Sequence, residues 1–333
     1  MLLGRRALGL AAAGLPLFAI KRAHAAEFGF KFANNLPPLH PLNVRAAEAC
    51  ERIAKATDGR VAITMHPASQ LGPDTEVLKK LQAGEVELFT LSGLIRSSVV
   101  PPASINGIGF AFKTYRQVWG AMDGAMGAFV RGEIGKRGLV AVGRIWDNGF
   151  RQTTTSTKAV RSPEDLRGMK LRVPVSPLWT SMFKALGTDP VSLNFSEVYA
   201  ALQARTAAGQ ENPLALVQAA KLYEVQTYCS LTNHMWDGFW LLANERVWSG
   251  MPGGLRDLVE AEFDRSAQNE RDDLLRLNPE QRGDLAMLGM SINPVQSSEF
   301  QQVLQQAGFY AEWRGKYGEA AWGLLEDAVG KLA

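Results

Sequence analysis

The sequence predicts an α/β protein of two lobes, joined by hinge strands and spanned by one long helix. Three observations carry that prediction: a β-α-β-α-β alternation over residues 27–92, a strand at 138–146 whose continuation leads away from it, and a charged amphipathic segment from Pro252 to about Leu277. EFGFKFANN (27–35) alternates Phe28, Phe30 and Phe32, the period of a strand, and delivers Asn34 and Asn35 at its carboxyl end. Pro41 to Asp58 places Ala46, Ala49, Cys50 and Ile53 on one helical face, with Gly59 as the cap. RVAITMH (60–66), PDTEVLKKLQAG (73–84) and VELFTLS (86–92) follow as strand, helix and strand, an order that predicts a parallel sheet with helices on both faces.

GLVAVGRIW (138–146) adds a strand to this lobe, and NGFRQTTTS (148–156) leaves it, so the crossing falls near residue 150. The second lobe has strands around 151–156, 169–173 and 207–211, with helices at 176–186, 196–206 and 213–225. WDGFWLLANERVW (236–248) is a dense apolar strand that returns the chain to the first lobe. The segment from Pro252 carries Leu255, Leu258, Val259 and Phe263 on one face. At 1.5 Å per residue it extends nearly 40 Å, enough to lie across both lobes. The first lobe is therefore 26–150, completed by about 238–277, and the second is 151–237, completed by segments within 278–333.

Positions 1–25 read as a cleavable export signal: Arg5 and Arg6, an uncharged run from Ala7 to Ile20 too short to span a bilayer, then Ala23-His24-Ala25 in the small-x-small pattern. The paired arginines fit twin-arginine export and the remainder fits an ordinary secretory route. Without those residues, 32 of the 36 basic groups face 33 acidic ones, a net charge of −1, so there is no nucleic-acid footprint. Cys50 and Cys229 sit among apolar neighbours in no metal or redox spacing and read as two free buried thiols. Walker, GxSxG, HExxH and CxxC patterns are absent, and His40, His66 and His234 are widely separated, so neither a cofactor nor a catalytic or metal set is expected. The paired acids Glu262 with Asp264 and Asp272 with Asp273 read as a solvated helix face.

Ligand chemistry concentrates at element ends. In PEDLRGMKLRVP (163–174), Ser162 to Asp165 start a short helix that Gly168 closes, and Met169, Leu171 and Val173 alternate with Lys170 and Arg172 before Pro174 stops the strand. Arg172 thus stands at the strand's carboxyl end, the edge where open α/β sheets bind ligands, and its planar fork of donors matches a carboxylate. It reads equally as an exposed edge arginine or half of an internal salt bridge. Asn212, before Pro213, is a natural N-cap and a possible anion contact. Arg151 can pair with Glu211, Phe195 and Trp236 can pack in the core, and His234 can be a satisfied core histidine.

Several motifs then fall into one order: ASQLGPDTEVLKKLQAGEVEL (68–88), NGFRQTT (148–154), PEDLRGMKLRVP (163–174), ALGTDPVSLNFSEVYAALQ (185–203), GQENPL (209–214), YEVQ (223–226) and TNH (232–234). Together they resemble the DctP-type solute-binding proteins of tripartite ATP-independent periplasmic (TRAP) transporters. That resemblance implies a periplasmic-binding-protein-like fold that closes on a carboxylate. It implies a monomeric periplasmic receptor, not an enzyme, serving a permease of small and large integral membrane subunits. It carries the carboxylate salt bridge onto Arg172 and further ligand contacts onto Arg151, Phe195, Asn212 and either Asn34 or Asn35.

The chain departs from the sialate-binding members of that family. Their charged first-lobe positions fall on Ser92 and Thr75, and an amide position falls on Val175, while Trp236, with Trp146 and Trp179, favours a smaller or more apolar acid. The expected ligand is a 2-oxo, 2-hydroxy or aromatic monocarboxylate, with Ser92, Trp236 and His234 completing the candidate site. The alternative function is a periplasmic ligand-binding sensor component for a similar acid. A secreted hydrolase or lyase would need a nucleophile or metal set beside Arg172, and the sequence offers none.

Overall fold

The computed structural model describes residues 26–97 and 99–332, so the export-signal reading of 1–25 lies outside the described residues. Eleven strands form two sheets among the described residues. The first lobe contains β1 (Phe28–Ala33), β2 (Val61–His66), β3 (Leu88–Ser92) and β4 (Leu139–Phe150), and the second contains β5 (Gln152–Thr155), β6 (Lys170–Val173), β7 (Asp189–Ser192), β8 (Gly209–Asn212) and β9 (Tyr228–Leu231). β10 (Trp236–Asn244) returns to the first sheet, which has the order β2-β1-β3-β10-β4. β11 (Ser291–Pro294) joins the edge of the second, ordered β11-β9-β5-β8-β6-β7.

The first sheet is mixed, not purely parallel. β1 runs parallel to β2 and β3, as the βαβαβ order predicts. β10 is antiparallel to both of its neighbours, because it arrives from the second lobe without a helical crossover on this sheet. In β1 the alternation is literal: Phe30 and Phe32 are buried while Lys31 is exposed, and Phe32 meets Phe263 of the long helix edge-on at 5.8 Å. β3 and β10 are buried along their whole length, the pattern of strands covered on both faces.

Two crossings between the lobes border the site. Outbound, β4 ends at Phe150 and β5 begins at Gln152, with only Arg151 between them. Inbound, Thr232 to Met235 link β9 to β10. The two crossings are bonded to each other, the Arg151 N–H donating to the Met235 carbonyl at 2.9 Å. The Phe110 N–H donates to the His234 carbonyl at 2.7 Å, with Phe110 and Asn233 both in the left-handed region.

The long helix runs over Gly253–Met287, ten residues past the predicted stop and straight through Pro279. Its 35 residues give a rod of about 52 Å. It packs on the helix Pro41–Ala56 and β4 of the first lobe and on the helix Leu214–Ala219 of the second. Three acids read as solvated are paired: Glu262 binds Arg52, Asp264 binds Arg144 and Asp273 binds Arg45. The C-terminal segment serves both lobes. β11 belongs to the second sheet, but the helix Glu319–Val329 buries Trp322 and Leu325 and packs on Tyr115–Met122 and Ala125–Gly135 of the first. Cys50 and Cys229 are free and buried.

At the base of the crossing lies a buried pair of carboxyl groups. The Asp147 N–H donates to Glu270 Oε2 at 3.0 Å, and Trp236 Nε1 donates to Asp147 Oδ1 at 2.8 Å. Asp147 Oδ2 and Glu270 Oε1 are buried without partners. The adjacent Arg271 is engaged by the Ile145 carbonyl and Asp123. Burial pushes both carboxyls up from the ordinary range, and the charge of Asp147 raises Glu270 further. A carboxyl whose folded pKa exceeds its unfolded value stabilises the fold below the unfolded pKa and loses that contribution as pH rises through the folded one. Thermal stability should therefore decline from pH 5 to pH 8, and Glu270→Gln, which keeps an acceptor for the Asp147 N–H, should flatten the decline; parallel melting curves for the two proteins across that range would refute this origin.

Candidate ligand-binding site

Arg172 is delivered by a tightly specified unit. Ser162 and Asp165 form a capping box on the single turn Pro163–Leu166, Gly168 turns at φ +66°, and β6 begins at Lys170. Lys170 is exposed but Arg172 is 1% exposed, so the polar side of the alternation is buried at the strand's carboxyl end. Neither a surface edge nor an internal ion pair describes it. Nε and Nη2 donate to the Leu193 carbonyl at 3.1 and 2.6 Å, Nη1 is buried without a partner, and Arg172 makes no ion pair among the described residues. Burial pulls the guanidinium down to about 10, against the attraction of Glu211. It still carries its charge at neutral pH.

Arg151, at the crossing itself, is held on both sides. Nε and Nη2 donate to the two Glu211 carboxylate oxygens at 2.5 and 2.7 Å, Nη2 also reaches Asn212 Oδ1 at 2.9 Å, and Nη1 donates to Asp237 Oδ2 at 3.0 Å. Its guanidinium lies 4.7 Å from the centre of the Trp179 ring. Glu211 also binds His234 Nε2 at 2.9 Å, while His234 Nδ1 meets the Thr232 hydroxyl. Burial disfavours the charged form of both. For Glu211, Arg151 and His234 outweigh it and the carboxyl stays below its ordinary range; His234 is left below its own and is neutral at pH 7. Asp237 accepts further from Ser92 Oγ at 2.7 Å and Asn148 Nδ2 at 2.9 Å.

These groups surround a cavity of about 20 Å³ between the lobes, room for one water molecule. The first lobe contributes Asn35, Asp74, Ser92, Asn148 and Asp237; the second contributes Arg172, Trp179, Phe195 and Asn212, with Arg151 between them. Among the described residues, four buried polar atoms on its wall lack partners: Arg172 Nη1, Trp179 Nε1, Asn35 Oδ1 and Asn148 Oδ1. Such atoms are costly to leave unmatched.

Of the residues singled out in sequence, Arg172, Arg151, Asn212, Phe195, Asn35 and Ser92 converge here. Three do not line the cavity. Asn34 bonds Asn43 and the Leu36 N–H and shapes the loop after β1; Trp236 packs edge-on against Trp119 and bonds Asp147; His234 stands behind Glu211. Asn212 ends β8 and is bound by Arg151 and Gln210, while Pro213 occupies the cap position of the six-residue helix that follows. Thr75 and Val175 also fall outside the lining: the Thr75 N–H reaches Asn194 across the lobes, and Val175 lies on a separate surface cleft. Asp74, one residue before Thr75, faces the cavity instead. It accepts from Asn35 Nδ2 at 2.8 Å, and burial raises it to about 6 against the pull of Asn35 and Arg172. Asp74, Asn148 and Asp237 were missed as site residues, and Trp179, read in sequence only as a pointer to ligand class, lines the cavity; Asn148 lies inside the NGFRQ motif, and Asp237 is the lone acid of its strand.

Two lobes meeting over a buried guanidinium with an unmatched donor have the geometry of a solute-binding protein. The chain belongs to the bacterial extracellular solute-binding proteins of family 7, the DctP-type receptors of TRAP transporters, whose family model matches residues 32–312. The family is periplasmic, works with membrane permease subunits and binds small organic acids; its members are receptors, not enzymes. A solved TRAP solute-binding protein from Sulfurospirillum deleyianum with bound succinate superposes with a TM-score of 0.85 at 28% identity, covering 91% of this chain and 98% of that one. Another, from Roseobacter denitrificans with bound L-galactonate, has a TM-score of 0.85 at 27% identity, covering 92% and 99%. The chain is also 36% identical over 228 residues to an uncharacterised Sinorhizobium fredii protein, a match covering 67% of this chain and 41% of that longer one.

Because Glu211 supplies two of the oxygens that hold Arg151, removing its charge should expose a buried cation. Breaking one side of a buried pair costs about 3–5 kcal/mol. With Asp237 retained, Glu211→Gln should lose about 3 kcal/mol in urea unfolding, and a loss below about 1 kcal/mol would show that the pair does not hold the crossing together.

Proposed function

We propose that this protein is the extracytoplasmic receptor of a TRAP transporter for a hydroxylated monocarboxylate, which it encloses between its lobes and hands to the small and large integral subunits of the permease. The single observation that carries this reading is Arg172 Nη1, the buried donor without a partner on the cavity wall. A carboxylate there recovers its desolvation cost against a fixed cation. The opposite wall supplies acceptors: Asn35 Oδ1, Asn148 Oδ1 and the Asp74 carboxylate. Acceptors call for donors on the ligand, and hydroxyl groups meet that need where an aromatic ring does not. The preference for an apolar or aromatic acid rested on Ser92, Thr75, Val175, Trp236, Trp179 and Trp146; Ser92 and Trp179 line the cavity, and the other four do not. The L-galactonate seen in the Roseobacter receptor is of the favoured class.

A cavity of about 20 Å³ cannot admit such an acid, so entry requires the lobes to part and binding closes them again. The first 25 residues then act as the export signal that delivers the protein to the periplasm.

A thermal-shift screen should rank L-galactonate and D-erythronate above succinate and phenylpyruvate, since a ligand at 100 times its Kd adds about 2.7 kcal/mol of stability. Stabilisation by phenylpyruvate alone would reject the hydroxy-acid reading. Arg172→Lys has one ammonium to divide between the Leu193 carbonyl and the ligand. Calorimetry should find affinity for the best acid reduced by about 2 kcal/mol, roughly thirtyfold, with folding retained; unchanged affinity would remove Arg172 from the contact set.

A further inference from the structure

We propose that Asp237 sets the charge of the ligand: by occupying Arg151 Nη1 it withholds the second guanidinium from the cavity and excludes dicarboxylates. The inference rests on the carboxylate-receptor reading above and adds a selectivity residue to it. Two guanidinium groups border the cavity, and they are used differently. Arg172 has an unpartnered Nη1, whereas the Nη1 of Arg151 donates to Asp237 Oδ2 at 3.0 Å and its other edge is taken by Glu211.

Asp237 itself is fully buried, and its two oxygens are occupied by three protein donors, Ser92 Oγ, Asn148 Nδ2 and Arg151 Nη1. Such a carboxylate neutralises its neighbour and has little capacity left for a ligand hydroxyl. The charges around it settle the sign. Arg151 and Arg172 face Glu211, Asp237 and Asp74, while burial keeps His234 neutral, so the walls hold three carboxyl groups against two guanidinium groups. A second ligand carboxylate would meet Asp74 and Asp237 in a desolvated space without a free cation. Removing the Asp237 charge frees the Arg151 edge and leaves two carboxyl groups against two guanidinium groups.

The test compares succinate and L-galactonate by calorimetry on the wild-type protein, Asp237→Asn and Asp237→Ser, with melting curves confirming that each variant folds. Asn preserves the volume, and Ser leaves room for a second carboxylate. The ratio of succinate to L-galactonate affinity should rise at least tenfold in the variants, and adding Arg151→Gln to Asp237→Asn should abolish the gain. A ratio within threefold of wild type, in variants that fold and bind L-galactonate, overturns the Asp237 assignment alone. Wild-type preference for succinate also overturns it. A wild-type protein that binds neither acid removes the hydroxy-acid reading and this inference together.

Discussion

The structure depends on the ion pairs of Arg151. This residue is the only one between β4 and β5, and its guanidinium joins Glu211 of the second sheet to Asp237 of the first. A buried cation bound on one side alone would be destabilising, and two carboxylates from different lobes make its burial possible. The same arrangement places Asn212, Asn148 and Ser92 around the cavity, because each bonds either to Arg151 or to a carboxylate that Arg151 holds. Arg172 has a separate role. Free of such pairs, it can present one donor across the lobe boundary.

Much of this was legible from residue order. Phe28, Phe30 and Phe32, the capping box before β6 and the strands bracketing residue 150 carry local signals strong enough to survive tertiary packing. The short strands β7, β9 and β11 were missed because four-residue segments containing Pro190, Cys229 or Pro294 have no clear period. The long helix was cut short because Pro279 usually ends a helix. Here its termination is overruled by packing on both sides: Leu274 and Leu285 are buried, and Asp284 bonds Gln218.

At the site, residues inside recognisable motifs were found and their facing was not always predicted. An error of one position put Thr75 in place of Asp74. Periodicity placed Arg172 on the polar side of a half-buried strand, but the polar side of β6 is itself covered, since its carboxyl end lies beneath the first lobe. Asn212 illustrates a different limit. Its sequence context favours an N-cap, yet Arg151 offers its side chain a charged donor, and a charge-assisted bond outweighs a cap worth about 1 kcal/mol. Asp237 gave almost no signal, since its importance comes from partners at positions 92, 148 and 151.

Pro279 has a mechanical consequence. The long helix is pinned to the first lobe through Arg45 and Asp273 and to the second through Gln218 and Asp284, and Pro279 sits between these two fixings. Lacking an N–H, it leaves out the rung that would tie position 279 to the Leu275 carbonyl. A rod fixed at both ends yields at its most compliant point, so any rotation of one lobe against the other is concentrated there.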